Sequence, residues 1–94
     1  MLTTDGLIRS IKHLDKDFDL GVITREVRQE RVSTLETEWR ASLAEENGID
    51  DLPQTAQDAV FALAYEHGHA SGYDDIANHY AEFAESGINI ANSL

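Results

Sequence analysis

No lysine or arginine follows Arg40, although ten acidic residues do: Glu45, Glu46, Asp50, Asp51, Asp58, Glu66, Asp74, Asp75, Glu82 and Glu85. The first 43 residues hold all seven bases and the other eight acids, so they sum to −1 and the rest to −10. A field this lopsided repels nucleic acid and anionic membrane and attracts basic protein surfaces. A halophilic host would explain the same acidity without any partner. Cysteine is absent, which excludes disulfide staples, thiolate metal sites and thiol nucleophiles, and fits a cytoplasmic location. No apolar run approaches the roughly 18 residues that would cross a bilayer. The N-terminal segment MLTTDGLIRSIKHLDKDF has no uninterrupted apolar stretch and no small-residue cleavage site, so it does not read as a signal peptide.

Proline occurs once and β-branched runs are few, while apolar residues recur at steps of three and four. The expectation is an all-α fold: two antiparallel helical hairpins forming a small four-helix bundle. Residues 1–94 read as a single domain, with a mixed-charge half over 1–48 and an acidic hairpin with a short tail over 49–94. A first helix begins after Thr3 or Thr4 with Leu7, Ile8, Ile11 and Leu14 on one face, and Asp15 to Gly21 reads as a polar break. A second helix is capped by Thr24, carries Val27, Val32, Leu35, Trp39 and Leu43, and stops at Asn47-Gly48 with Ile49 folding back. Asp51 to Gln54 reads as a capping box for a third helix that ends at Gly68. Ser71 with Asp74 reads as another for a fourth, which shows Tyr73, Ile76, Ala77, Tyr80, Phe83 and Ala84 and closes at Gly87.

The acidic hairpin is the first candidate for function. Asp75, Glu82 and Glu85 lie opposite the Tyr73–Phe83 stripe, and Asp58 and Glu66 are two turns apart on the third helix. Together with Asp74 and the tyrosines Tyr65 and Tyr73 they make a candidate partner-binding set: carboxylates for a basic surface and aromatics as anchors. The ordinary alternative is a solvated helix face, but such faces mix both signs, and this one does not.

Two further segments carry metal-ligand types. His67, His69 and His79 lie among carboxylates, with Asp75 and His79 at i,i+4. Asp15, Asp17, Asp19 and Glu26 fall at positions 1, 3, 5 and 12 of an EF-hand-like calcium loop, but Leu20 occupies the position where that loop needs glycine. Neither matches a full metal motif, and no cofactor is expected. A helical chain with no evident nucleophile or phosphate-binding loop reads as a non-enzyme. The row Arg25, Arg28 and Arg31 is interleaved with Glu26 and Glu30, which argues against direct nucleic-acid binding.

The stretch Tyr65 to Phe83, with Gly68, His69, Ser71, Gly72 and Tyr80, resembles a helix–turn–helix segment of small helical accessory proteins of tailed phages. That resemblance implies the class of short host-takeover proteins, which includes anti-CRISPR and anti-restriction inhibitors. The function expected is a non-enzymatic inhibitor, in the host cytoplasm, that binds a basic nucleic-acid-binding surface of a defence protein. The alternatives are a metal-responsive module, and a structural homodimer through the Trp39 face whose acidity serves solubility.

Overall fold

The computed structural model describes residues 1–94 and contains four α-helices and no strand: α1 (Thr4–Asp19), α2 (Arg25–Glu46), α3 (Gln54–Gly68) and α4 (Tyr73–Asn92). The all-α expectation holds helix for helix. No helix is long and apolar enough to cross a membrane. The chain forms two compact units, Met1–Arg40 and Ala41–Leu94. Their boundary falls inside α2, directly after the last basic residue. Unit 1 therefore holds every lysine and arginine, and unit 2 holds ten acids and none of either.

In unit 1 the threonine caps form as the sequence suggests. Thr3 Oγ1 accepts the Gly6 N–H at 3.0 Å, and Thr24 Oγ1 accepts the Val27 N–H at 3.2 Å. Each satisfies one of the donors that a helix start leaves open. The expected break at Asp15–Gly21 is instead helical as far as Asp19. The backbone ladder runs on through Leu20 N–H to Lys16 O at 3.0 Å. Only Gly21, at φ 74°, turns left-handed, and Val22 N–H then reaches back to Asp17 O at 2.9 Å. This is the glycine-terminated helix end that an L-residue would strain. The hairpin is antiparallel. Trp39 Nε1 donates to Thr4 Oγ1 at 3.0 Å near its open end, and Arg28 meets Asp15 near the turn. Leu7, Leu14 and Trp39 are buried, whereas Val27, Val32 and Leu35 are only half-buried.

Unit 2 comprises the C-terminal end of α2, from Ala41 to Glu46, together with α3 and α4. Gly48, at φ 70°, ends α2, and Ile49 folds back as expected, its N–H donating to Ala44 O at 2.9 Å. Neither expected capping box forms. Pro53 is the N-cap of α3, its ring carries no acceptor for a capping hydrogen bond, and Asp51 lies two residues further upstream. Gln54 Nε2 donates forward to Asp58 Oδ1 at 2.9 Å. Gln57 Nε2 secures the loop instead, donating to the Asp50 and Leu52 carbonyls. At α4 the N-cap is Gly72, at φ 107°, one residue beyond Ser71.

The clearest departure is Gly87, read as a helix stop, because α4 continues through it to Asn92. Gly87 is buried, and a Cβ there would sit 2.5 Å from Val60 Cγ2, with Ile49 and Leu52 just beyond. It is a packing glycine. Gly68 is similar: its Cβ would lie 2.7 Å from the backbone nitrogen of Ile76. Along the seam Ala56, Val60 and Ala64 of α3 and Ile76, Tyr80 and Ala84 of α4 are buried. Small residues at four-residue steps let the two backbones close on each other, and each fully buried large side chain contributes about 1.5–3 kcal/mol.

Candidate functional site

At about 100° per residue, Asp74, Asp75, Glu82 and Glu85 fall within an arc of about 100° on α4, opposite buried Ile76, Tyr80, Ala84 and Gly87. Asp74, Glu82 and Glu85 are exposed and Asp75 is half-buried. The row spans about 17 Å along the helix at ~1.5 Å per residue. Asp74 and Asp75 occupy the first turn, where the positive end of the helix dipole favours carboxylates. On α3, Asp58, Tyr65 and Glu66 are exposed on the side away from Ala56, Val60 and Ala64. Every remaining carboxylate of unit 2, namely Glu45, Glu46, Asp50 and Asp51, is also exposed.

The two candidate tyrosines differ. Tyr65 is 51% exposed, whereas Tyr73 is half-buried at the start of α4. Tyr65 belongs to a ladder of three rings at four-residue spacing, stacking on Phe61 at 6.2 Å and on His69 at 5.0 Å between centroids. His69 is fixed further by its Nδ1–H, which donates to Tyr65 O at 2.9 Å. The sequence contains the 61–65–69 spacing, and that signal was open to reading as an aromatic row.

The histidines do not converge. His69 stands on the outer side of α3, while His67 and His79 meet across the seam with ring centroids 5.6 Å apart, each also against Phe83. His79 is engaged by the acidic row: its Nδ1–H donates to Glu82 Oε2 at 3.0 Å, and its Nε2 lies 3.7 Å from Asp75 Oδ2. The calcium-loop segment is likewise taken apart. Asp15, Asp17 and Asp19 ride on helical α1, and Glu26 is in the first turn of α2. The Arg28 Nε and Nη2 atoms both converge on Asp15 Oδ1, at 2.7 and 2.5 Å. No group of three or more histidines and carboxylates has the geometry to hold a metal ion.

The arrangement is therefore a surface of fixed charge on packed helices. Residues 10–86 match the model of DUF8546, a family of unknown function. The chain belongs to that family. The match takes in most of α1, all of α2 and α3, and α4 as far as Ser86, so every candidate residue from Asp58 to Glu85 lies within it. No curated protein and no solved structure matches the chain.

Trp39 is 1% exposed. Its indole is buried inside the first hairpin, donating to Thr4 Oγ1.

Proposed function

We propose that the chain is a non-enzymatic binding protein whose acidic unit 2 occupies a basic, nucleic-acid-binding groove on another protein. One observation carries this: unit 2 exposes nine of its ten carboxylates, contains no lysine or arginine, and gathers four of those acids along one side of α4. Helices held by close packing preorganise the row, so little backbone ordering is needed on docking. Association driven by such a field is fast and weakens as salt rises. Four carboxylates over about 17 Å are sparser than the one phosphate charge per ~1.7 Å of duplex axis. The sign and placement of charge, with Tyr65 as an aromatic anchor, would therefore supply recognition, rather than a copy of phosphate spacing. The resemblance of the α3–α4 turn to phage accessory proteins implies a class of short host-takeover proteins, many of which act by occlusion of this kind.

The test is capture on the immobilised chain at low salt, with duplex DNA as competitor. The expected result is retention of nucleic-acid-binding proteins that duplex DNA displaces. The variant Asp74→Asn, Asp75→Asn, Glu82→Gln, Glu85→Gln should keep its helical circular dichroism and lose about tenfold or more in affinity. Equal capture by that variant would remove the electrostatic mechanism.

A further inference from the structure

We infer that two copies of the chain pair through unit 1, across an apolar groove on one flank of the α1–α2 hairpin. The groove has a volume of about 410 Å³. Its floor is Leu14 and Leu35, and Ser10 and Thr34 form its walls. Thr34 Oγ1 is spent on its own helix, donating to Glu30 O at 3.0 Å, so that wall presents mainly a methyl group. His13, Glu30 and Arg31 stand exposed on the rim. Neither the Glu30 carboxylate nor the Arg31 guanidinium has an ion-pair or hydrogen-bond partner within the chain.

Two features select a second copy as the occupant. The first is the rim. A two-fold contact sets a surface against itself reversed, so it must be self-complementary. Neighbouring side chains of opposite charge meet that condition, because Glu30 of each copy faces Arg31 of the other. The apolar floors of the two grooves then close on one another, and two helical hairpins become four packed helices.

The second is the distribution of charge. Unit 1 has seven bases against eight acids, whereas unit 2 has ten acids and no lysine or arginine. Any self-association through unit 2 sets ten negative charges against ten. Unit 1 is the region where like copies meet without that repulsion.

Light scattering and sedimentation equilibrium on the full chain test this. The expected mass is twice that of the 10.4 kDa chain, with the apolar floor holding the copies together in high salt while the effect of the rim charges shrinks as they are screened. Glu30→Arg and Arg31→Glu should each weaken the dimer about tenfold, since each replaces two attractive contacts by two repulsive ones. The exchange Glu30→Arg with Arg31→Glu recreates the self-complementary rim and should restore wild-type association. Leu35→Lys disrupts the floor independently of the rim, and circular dichroism checks that every variant is folded. A monomer at all concentrations overturns the inference, as does a dimer that dissociates in high salt. So does a dimer indifferent to both single reversals, or one that the double exchange fails to restore. Apolar pairing persists in salt that dissociates docking on a basic partner, so failure of one leaves the other intact.

Discussion

The two units solve the packing of helices in opposite ways. In unit 2 the α3–α4 seam is lined by alanine, glycine and valine, and at Gly68 and Gly87 there is no room for even a methyl group. In unit 1, α1 and α2 meet through leucine, tryptophan and an Arg28–Asp15 pair, and an open groove remains along one flank. Charge divides along the same boundary, with both signs in unit 1 and one sign in unit 2. A close seam costs nothing in charge compensation, because it leaves the outer faces free. It also holds the carboxylates on a stiff support. The difference leaves unit 2 with a close-packed seam under a surface of one sign, and unit 1 with mixed charge and an open apolar groove.

Substitutions at the seam should separate the units most sharply. Ala for Gly inside a helix ordinarily stabilises by up to about 1 kcal/mol. Gly68→Ala should do the reverse, costing about 2–3 kcal/mol, because its methyl would press on the Ile76 backbone, which cannot step aside. Gly87→Ala meets the Val60 side chain instead and should cost about 1–2 kcal/mol, recovered in part by Val60→Ala. Chemical denaturation measures both. If either alanine stabilised the chain, the close seam would be wrong.

Cap removal in unit 1 ranks next. Thr3→Ala and Thr24→Ala should each cost about 1 kcal/mol, by leaving the Gly6 and Val27 N–H groups without their side-chain acceptors. Serine at either position should restore most of the loss. The smallest effect is expected at the partly exposed Arg28–Asp15 pair. Arg28→Ala should change stability by less than about 1 kcal/mol, with the difference shrinking as salt is added. A loss comparable to that at Gly68 would mean that this pair, and not the leucine and tryptophan packing, holds the first hairpin.

Helix number, order and most boundaries could be read from periodicity and caps, because Thr3, Thr24 and Gly48 act within one turn of themselves. What misled was glycine with two meanings. Gly87 followed by Ile88 has the form of a helix end, yet it serves a partner residue 27 positions earlier, Val60. The stripe Ala56, Val60, Ala64, Gly68 carried the corrective signal, since four small residues in register mark a close helix–helix approach. Ser71 and Asp51 missed their caps by one and two residues, where Gly72 and Pro53 fixed the backbone first. The outward aim of Asp58, Asp74, Glu82 and Glu85 followed directly from helical spacing. The engagement of His79 with Asp75 and Glu82 was hidden only in degree, being a matter of i−4 and i+3 neighbours. The partition at Arg40 depends on tertiary contacts, and in the sequence only the end of the lysines and arginines there coincides with it.

The central claim is that the carboxylates of unit 2 are the recognition element. It is tested most directly by the salt dependence of affinity for a captured nucleic-acid-binding partner. Wild-type chain should be compared with the Asp74→Asn, Asp75→Asn, Glu82→Gln, Glu85→Gln chain. A steep fall of affinity with salt for the first, and a markedly shallower one for the second, is the predicted result. Identical slopes and affinities for the two chains would contradict it.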